Sequence, residues 1–158
     1  MSESPAAALI EELRRFRFTV ATAESLTGGL VSGTLASVSG ASTVLLGGLV
    51  AYSPVVKKRL LGVDPELLET HGSVHPEVAR QMARGAIQLL YSDLALATTG
   101  VAGPDPVGPH PPGTGFIALA LPFGDTLVRP FTFTGSRNEI RAKVVDEILT
   151  WATQEITR

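Results

Sequence analysis

Cysteine is absent from the 158 residues, which removes disulfides, thiolate metal ligands and cysteine nucleophiles together and fits a cytoplasmic protein. No stretch approaches the ~18 consecutive apolar residues of a membrane-spanning helix. The opening MSESPAAALIEELRRF carries acids and an amphipathic pattern instead of the basic start and apolar core of an export signal. The 13 Lys and Arg are scattered and the formal net charge is -2, so there is no basic stripe to displace counterions from nucleic acid. No low-complexity run and no internal repeat breaks the chain.

What remains describes a globular protein. Hydrophobic residues make up 44% and charged residues 18%. A chain of this length buries roughly 70% of its unfolded surface as one domain. The expectation is a single free-standing domain over residues 1–158.

Punctuation divides the chain clearly. Ser4-Pro5 is a cap and first-turn pair opening a helix through Leu13, and FRFTVATA (16–23) reads as a strand. A helix follows over 30–38. The nearly all-apolar VLLGGLVAY (44–52) reads as a strand covered on both faces. Ser53-Pro54 opens a helix that Gly62 closes, Asp64-Pro65 opens one that Gly72 closes, and His75-Pro76 opens a longer one reaching Leu90. DLALATT (93–99) is a strand, 100–113 a Pro- and Gly-rich loop, and 116–121 with 126–133 a hairpin. Ser136 and Glu139 form a capping box for a last helix with a core stripe of Ile140, Val144, Ile148 and Trp151. This order predicts an α/β fold: a three-layer α/β/α domain with a mixed, mostly parallel central sheet and a C-terminal hairpin strand pair.

If the first three strands run parallel, their carboxyl ends share the edge where open α/β sheets place ligands. Three polar clusters then converge: ESLTGG (24–29), Tyr52-Ser53 with Lys57, and TTGVAGP (98–104). Ser25 precedes a helix whose first N–H groups are open to an oxyanion or phosphate; the plainer reading is a capped strand-to-helix turn. Gly28, Gly29 and Gly33 do not match the dinucleotide fingerprint, and no Walker lysine follows. A serine nucleophile needs a base, and lysine is the candidate. Lys57 falls in an opening helical turn, where dipole and burial favour the neutral amine; Lys58 is its rival, and a solvated surface lysine is the plain alternative for either.

His71 and His75 do not share a helix face and His110 lies in the loop, so no metal site is expected. Glu24 is the one acid beside the hydroxyls, able to orient Thr27 or a backbone N–H. Arg137 and Arg141 share a helix face, suited to a bound anion or to ion pairs with Glu139 or Asp146.

TAESLTGG, GLVAYSPVVKKRLLGV, HGSVHPEVARQMARGA, TTGVAGP and FTGSRNEIR together resemble the C-terminal domain of the CinA (competence/damage-inducible protein) family, over nearly the whole chain. Its members include nicotinamide mononucleotide amidases. The resemblance implies hydrolysis of that nucleotide's carboxamide to nicotinate mononucleotide and ammonia, in pyridine-nucleotide salvage, without metal or cofactor. It puts the nucleophile on Ser25 and the lysine on Lys57 over Lys58, with Tyr52 and Thr99 assisting proton transfer or positioning substrate. Glu24, Thr27, Gly28, Gly29, Gly100, Ala102 and Gly103 are the expected substrate-side residues, and Arg137 and Arg141 match phosphate or ribose contacts. Leu26 and Pro54 stand where the family usually has Cys and Asn. GPDPVGPHPPGTG is shorter than the family's loop and lacks its lysine; His110 is a candidate substitute. Expected partners are the small-molecule nucleotide and a second copy in a homodimer or larger assembly, with no nucleic acid and no membrane. The alternatives are a non-catalytic nucleotide-binding or regulatory module, and an amidase for another small substrate.

Overall fold

Residues 2–158 are described by the computed structural model. The elements follow the predicted order: α1 (Pro5–Phe16), β1 (Val20–Glu24), α2 (Leu30–Ala36), a 3-10 turn (Ala41–Thr43), β2 (Leu45–Val50), α3 (Pro54–Leu61), α4 (Pro65–His71), α5 (Pro76–Leu90), β3 (Leu94–Gly100), β4 (Thr114–Ala120), β5 (Thr126–Thr132) and α6 (Arg137–Ile156). The five strands form one sheet in the order β2-β1-β3-β4-β5. β1 is parallel to both β2 and β3, while β4 and β5 continue as an antiparallel hairpin.

The local signals act as expected at most boundaries. Ser4, Ser53 and Ser136 each accept a backbone N–H as N-caps, and the Ser136–Glu139 capping box is complete. Two strand readings change. Phe16 belongs to α1, because the apolar face of Leu9, Ile10 and Leu13 carries the helix on until Arg17 closes it in the left-handed region; the strand starts at Val20 and runs one residue further, to Glu24. β2 is not covered on both faces: it is the sheet's edge, and its residues alternate between half-buried and exposed, with Leu46 and Val50 open to solvent.

The sheet separates two cores. On one side α1, α2 and α6 pack large side chains, among them Leu9, Leu13, Leu35, Ile148 and Trp151. On the other, α3 and α5 lie over an alanine-lined surface of Ala21, Ala23, Ala95, Ala97, Ala118 and Ala120, with Met82 at its centre. Small residues let α5 approach closely. A Cβ at Gly85 would collide with the Leu61 carbonyl at the end of α3, so this glycine sets where α3, the carrier of Lys57, lies.

Candidate active site

The carboxyl ends of β1, β2 and β3 lie side by side, Glu24 paired with Val50 and with Thr98. β1 is flanked by the strand that follows it and by the next one on its other side, so the chain's connections diverge there, leaving a crevice. Ser25 is the first residue beyond β1, and its N–H is shared between the Thr98 carbonyl at 3.0 Å and the Thr98 hydroxyl at 3.3 Å. Gly28 (φ 57°) and Gly29 (φ 103°) then turn the chain into α2. A bulkier residue at position 28 would be strained and would meet the Arg141 guanidinium at 3.1 Å.

Glu24 is fully buried and takes four donors: the Thr27 hydroxyl (2.7 Å) and the N–H groups of Gly29 (3.2 Å), Val31 (2.8 Å) and Ser32 (3.0 Å). This corrects the expected use of the α2 N-terminus. Its N–H groups hold the protein's own carboxylate, so neither they nor Glu24 are open to substrate, and the Gly28 N–H is bonded to the Ser25 carbonyl. Thr27 is buried and likewise committed, its hydroxyl donating to Glu24.

Lys57 comes from the first turn of α3, behind the Ser53 cap and Pro54. It is fully buried, with Nζ 3.0 Å from Ser25 Oγ, 2.8 Å from the Ala51 carbonyl and 3.1 Å from the Tyr52 carbonyl. Among the described residues no carboxylate contacts it, and burial lowers its pKa from 10.5 to about 8. As the ammonium, Nζ donates to both carbonyls and to Ser25 Oγ; as the neutral amine, it keeps its two protons on the carbonyls and turns its lone pair to the serine hydroxyl. Lys58 is exposed and has no such partner among the described residues.

A cavity of about 390 Å³ opens onto Ser25. That is within the roughly 300–1,000 Å³ of small-molecule sites. Leu26, Tyr52, Thr99, Ala102 and Arg137 share its wall. Thr99 donates to the Ser73 carbonyl at 2.8 Å, joining β3 to the segment before α5. Arg137 donates to the Gly103 carbonyl (2.7 Å) and to the Tyr52 hydroxyl (3.0 Å), tying α6, the β3–β4 loop and the β2–α3 turn together at the rim. Gly100 is required by packing, since a Cβ there would press on the Phe131 ring and the Thr114 carbonyl. Among the described residues, the backbone N–H groups of Leu26, Ala102 and Gly103 donate to no protein acceptor. They are unspent donors of the wall on the two sides of Ser25.

Arg141 departs from expectation. It donates to the Leu26 and Thr27 carbonyls (2.9 and 3.0 Å) and to Asn138, bracing the Ser25 turn from outside the cavity, so it does not share an anion with Arg137. Neither arginine makes an ion pair with Glu139 or Asp146. Thr98 was not singled out by the sequence; alternation along β3 is the available signal, because adjacent Thr98 and Thr99 must face opposite sides of the sheet. The histidines are also closer than their spacing implied. His71 and His75 lie 4.6 Å apart, and His75 caps α5 by accepting the Glu77 N–H on Nδ1. Burial, then His71, lowers the His75 pKa. Among the described residues no group of His, Asp and Glu is placed to hold a metal ion, and no helix is long and apolar enough to cross a membrane.

The family model described as the CinA C-terminal domain matches residues 2–156. The chain belongs to the CinA C-terminal domain family. Relatives of this CinA domain include a protein of Bacillus cytotoxicus named for competence-damage induction, 44% identical over 86% of this chain and 33% of its own length. A protein of Geobacillus kaustophilus with the same name is 41% identical over 85% and 32%. The CinA domain thus spans about a third of the length of the curated relatives it matches. Among solved structures, a competence/damage inducible protein from Agrobacterium tumefaciens superposes with a TM-score of 0.92 at 32% identity, covering 100% of both chains. A CinA superfamily protein from Klebsiella pneumoniae gives 0.94 at 25% identity, covering 97% of this chain and 96% of its own.

Proposed function

We propose that this CinA domain hydrolyses the carboxamide of nicotinamide mononucleotide to nicotinate mononucleotide and ammonia, in pyridine-nucleotide salvage, through an acyl-enzyme on Ser25. The observation that carries the reading is the buried, unpaired amine of Lys57 at 3.0 Å from a serine hydroxyl facing a cavity.

Neutral Lys57 takes the Ser25 proton as Oγ bonds to the carboxamide carbon, and the carbonyl oxygen becomes an oxyanion. The Leu26 N–H, next to the nucleophile, and the Ala102 or Gly103 N–H from the facing loop stabilise it; losing one such donor typically costs ~3 kcal/mol of barrier. As the tetrahedral adduct collapses the C–N bond breaks, and ammonium-form Lys57 returns its proton to the departing nitrogen, releasing ammonia. Water attacks the ester carbon and gives a proton to Lys57, which returns it to Oγ as the Oγ–C bond breaks; Ser25 and neutral Lys57 are regenerated, and the released acid loses its remaining proton to solvent to become the carboxylate. Arg137, anchored at the rim, is the cation offered to the phosphate, and Tyr52 and Thr99 shape the wall around the ring and ribose.

Incubation of the purified protein with nicotinamide mononucleotide tests the proposal. Ammonia release by wild type and none by Ser25→Ala is the expected result. Binding without release would favour a nucleotide-binding module, and indifference to the nucleotide would contradict both readings.

A further inference from the structure

Thr98 is a buried hydroxyl that the reaction above does not use. It is fully enclosed, one residue before the cavity-lining Thr99, with its Oγ1 2.8 Å from the Thr27 hydroxyl and 3.3 Å from the Ser25 N–H. The proton positions along this chain follow from chemistry. Both Glu24 oxygens accept from the four donors around them, and the single Thr27 proton is one of those four. The proton between the two threonines must then come from Thr98. That leaves the Thr98 lone pairs turned toward Ser25, whose N–H is held by both the carbonyl and the hydroxyl of one residue.

We propose that Thr98 is a positioning residue for the nucleophile, acting through a hydrogen-bond chain of fixed direction, Thr98 to Thr27 to Glu24, that ties the Ser25 turn to β3. The inference rests on reading Ser25 as the nucleophile. Ser25 sits on a turn beside two glycines with positive φ, a segment with little stiffness of its own. Glu24 anchors the turn to α2, Arg141 braces it from outside, and Thr98 fixes it against the strand whose loop supplies the Ala102 and Gly103 N–H groups. Without the hydroxyl tether, the Thr98 carbonyl is the one remaining contact between the Ser25 N–H and β3, and the 3.0 Å approach to Lys57 is less tightly fixed on that side.

Valine at 98 preserves the branched shape and the carbonyl that accepts the Ser25 N–H, but supplies neither the proton for Thr27 nor the second, hydroxyl acceptor for Ser25; serine supplies both. Two readouts separate positioning from simple stabilisation: the split between kcat and KM on nicotinamide mononucleotide, and the rate at which a fluorophosphonate probe phosphonylates Ser25 with loss of fluoride, followed by mass spectrometry. For Thr98→Val we expect kcat to fall about 10- to 100-fold with KM unchanged, and labelling to slow in parallel. Thr98→Ser should retain both rates within about threefold. If Thr98→Val does not fold, Thr27→Val interrupts the same chain and should show the same kcat loss.

A folded Thr98→Val with wild-type kcat and labelling rate would overturn the inference, as would a serine variant as impaired as the valine one. If wild type labels at Ser25 but leaves nicotinamide mononucleotide intact, the amidase reading fails and the labelling comparison alone decides the role of Thr98. If Ser25 neither labels nor turns over substrate, the nucleophile reading and this inference fall together.

Discussion

Two buried ionisable side chains stand on neighbouring turns at the sheet's edge, and the fold treats them oppositely. Glu24, ending β1, is held by four donors of its own chain. Lys57, opening α3, has two carbonyls and a serine hydroxyl but, among the described residues, no opposite charge in contact. The carboxylate's desolvation is offset by hydrogen bonds and the positive end of a helix; the ammonium's is not, and the amine yields its proton easily instead. One turn is built to be rigid, and the other holds a group whose neutral form, less costly to bury, comes within reach close to neutral pH. The contrast separates a charge secured by its own chain from an amine that burial leaves easy to deprotonate.

The largest effect expected is on turnover. Lys57→Ala should lower ammonia release from nicotinamide mononucleotide by about 10³-fold or more, whereas Lys58→Ala keeps most of it. Equal losses at the two positions would erase the distinction drawn between a buried and an exposed lysine. Next, Glu24→Ala leaves three backbone N–H groups and the Thr27 hydroxyl without their acceptor. It should cost about 4 kcal/mol in denaturant unfolding, since each buried unsatisfied group carries a penalty of its own.

Lys57 should act on stability with the opposite sense. Its folded pKa of about 8 lies below the unfolded value of 10.5, so between these pH values the unfolded chain binds the extra proton and stability rises with pH. Below pH 8 both states are protonated and the burial penalty is present in full. Compared with Lys57→Met, wild type should therefore gain about 3 kcal/mol across this window, read from urea midpoints at successive pH values. A pH-independent difference would mean that the lysine titrates normally. Smallest is Gly85→Ala, where the added methyl meets the Leu61 carbonyl: about 2 kcal/mol of destabilisation with a loss of kcat, because α3 and its lysine are displaced.

Much of the fold was legible because its punctuation is local. Ser4-Pro5, Ser53-Pro54, Asp64-Pro65 and His75-Pro76 each announce a helix within two residues, and all four helices start there. Edge position is not local: the apolar run ending at Tyr52 reads as an enclosed strand, and only the strand order leaves β2 with one neighbour. The same limit applies to side chains. Glu24 reaches forward as far as Ser32, and Arg141 finds carbonyls 114 and 115 residues away, which no spacing rule anticipates. Ser25 and Lys57 lie 32 residues apart. Residue chemistry narrowed the candidate base to two adjacent lysines, and the family resemblance chose between them; the structure buries Lys57 beside Ser25 and leaves Lys58 exposed.

The most direct measurement is an NMR titration of Lys57, with its Cε and Nζ labelled and followed from pH 6 to pH 12 in the folded protein. The account predicts a midpoint near 8, and therefore about one-tenth of the amine neutral and ready to accept a proton at pH 7. A midpoint at or above 10.5 would mean a permanently charged ammonium beside Ser25, and would contradict the role of Lys57 as the base.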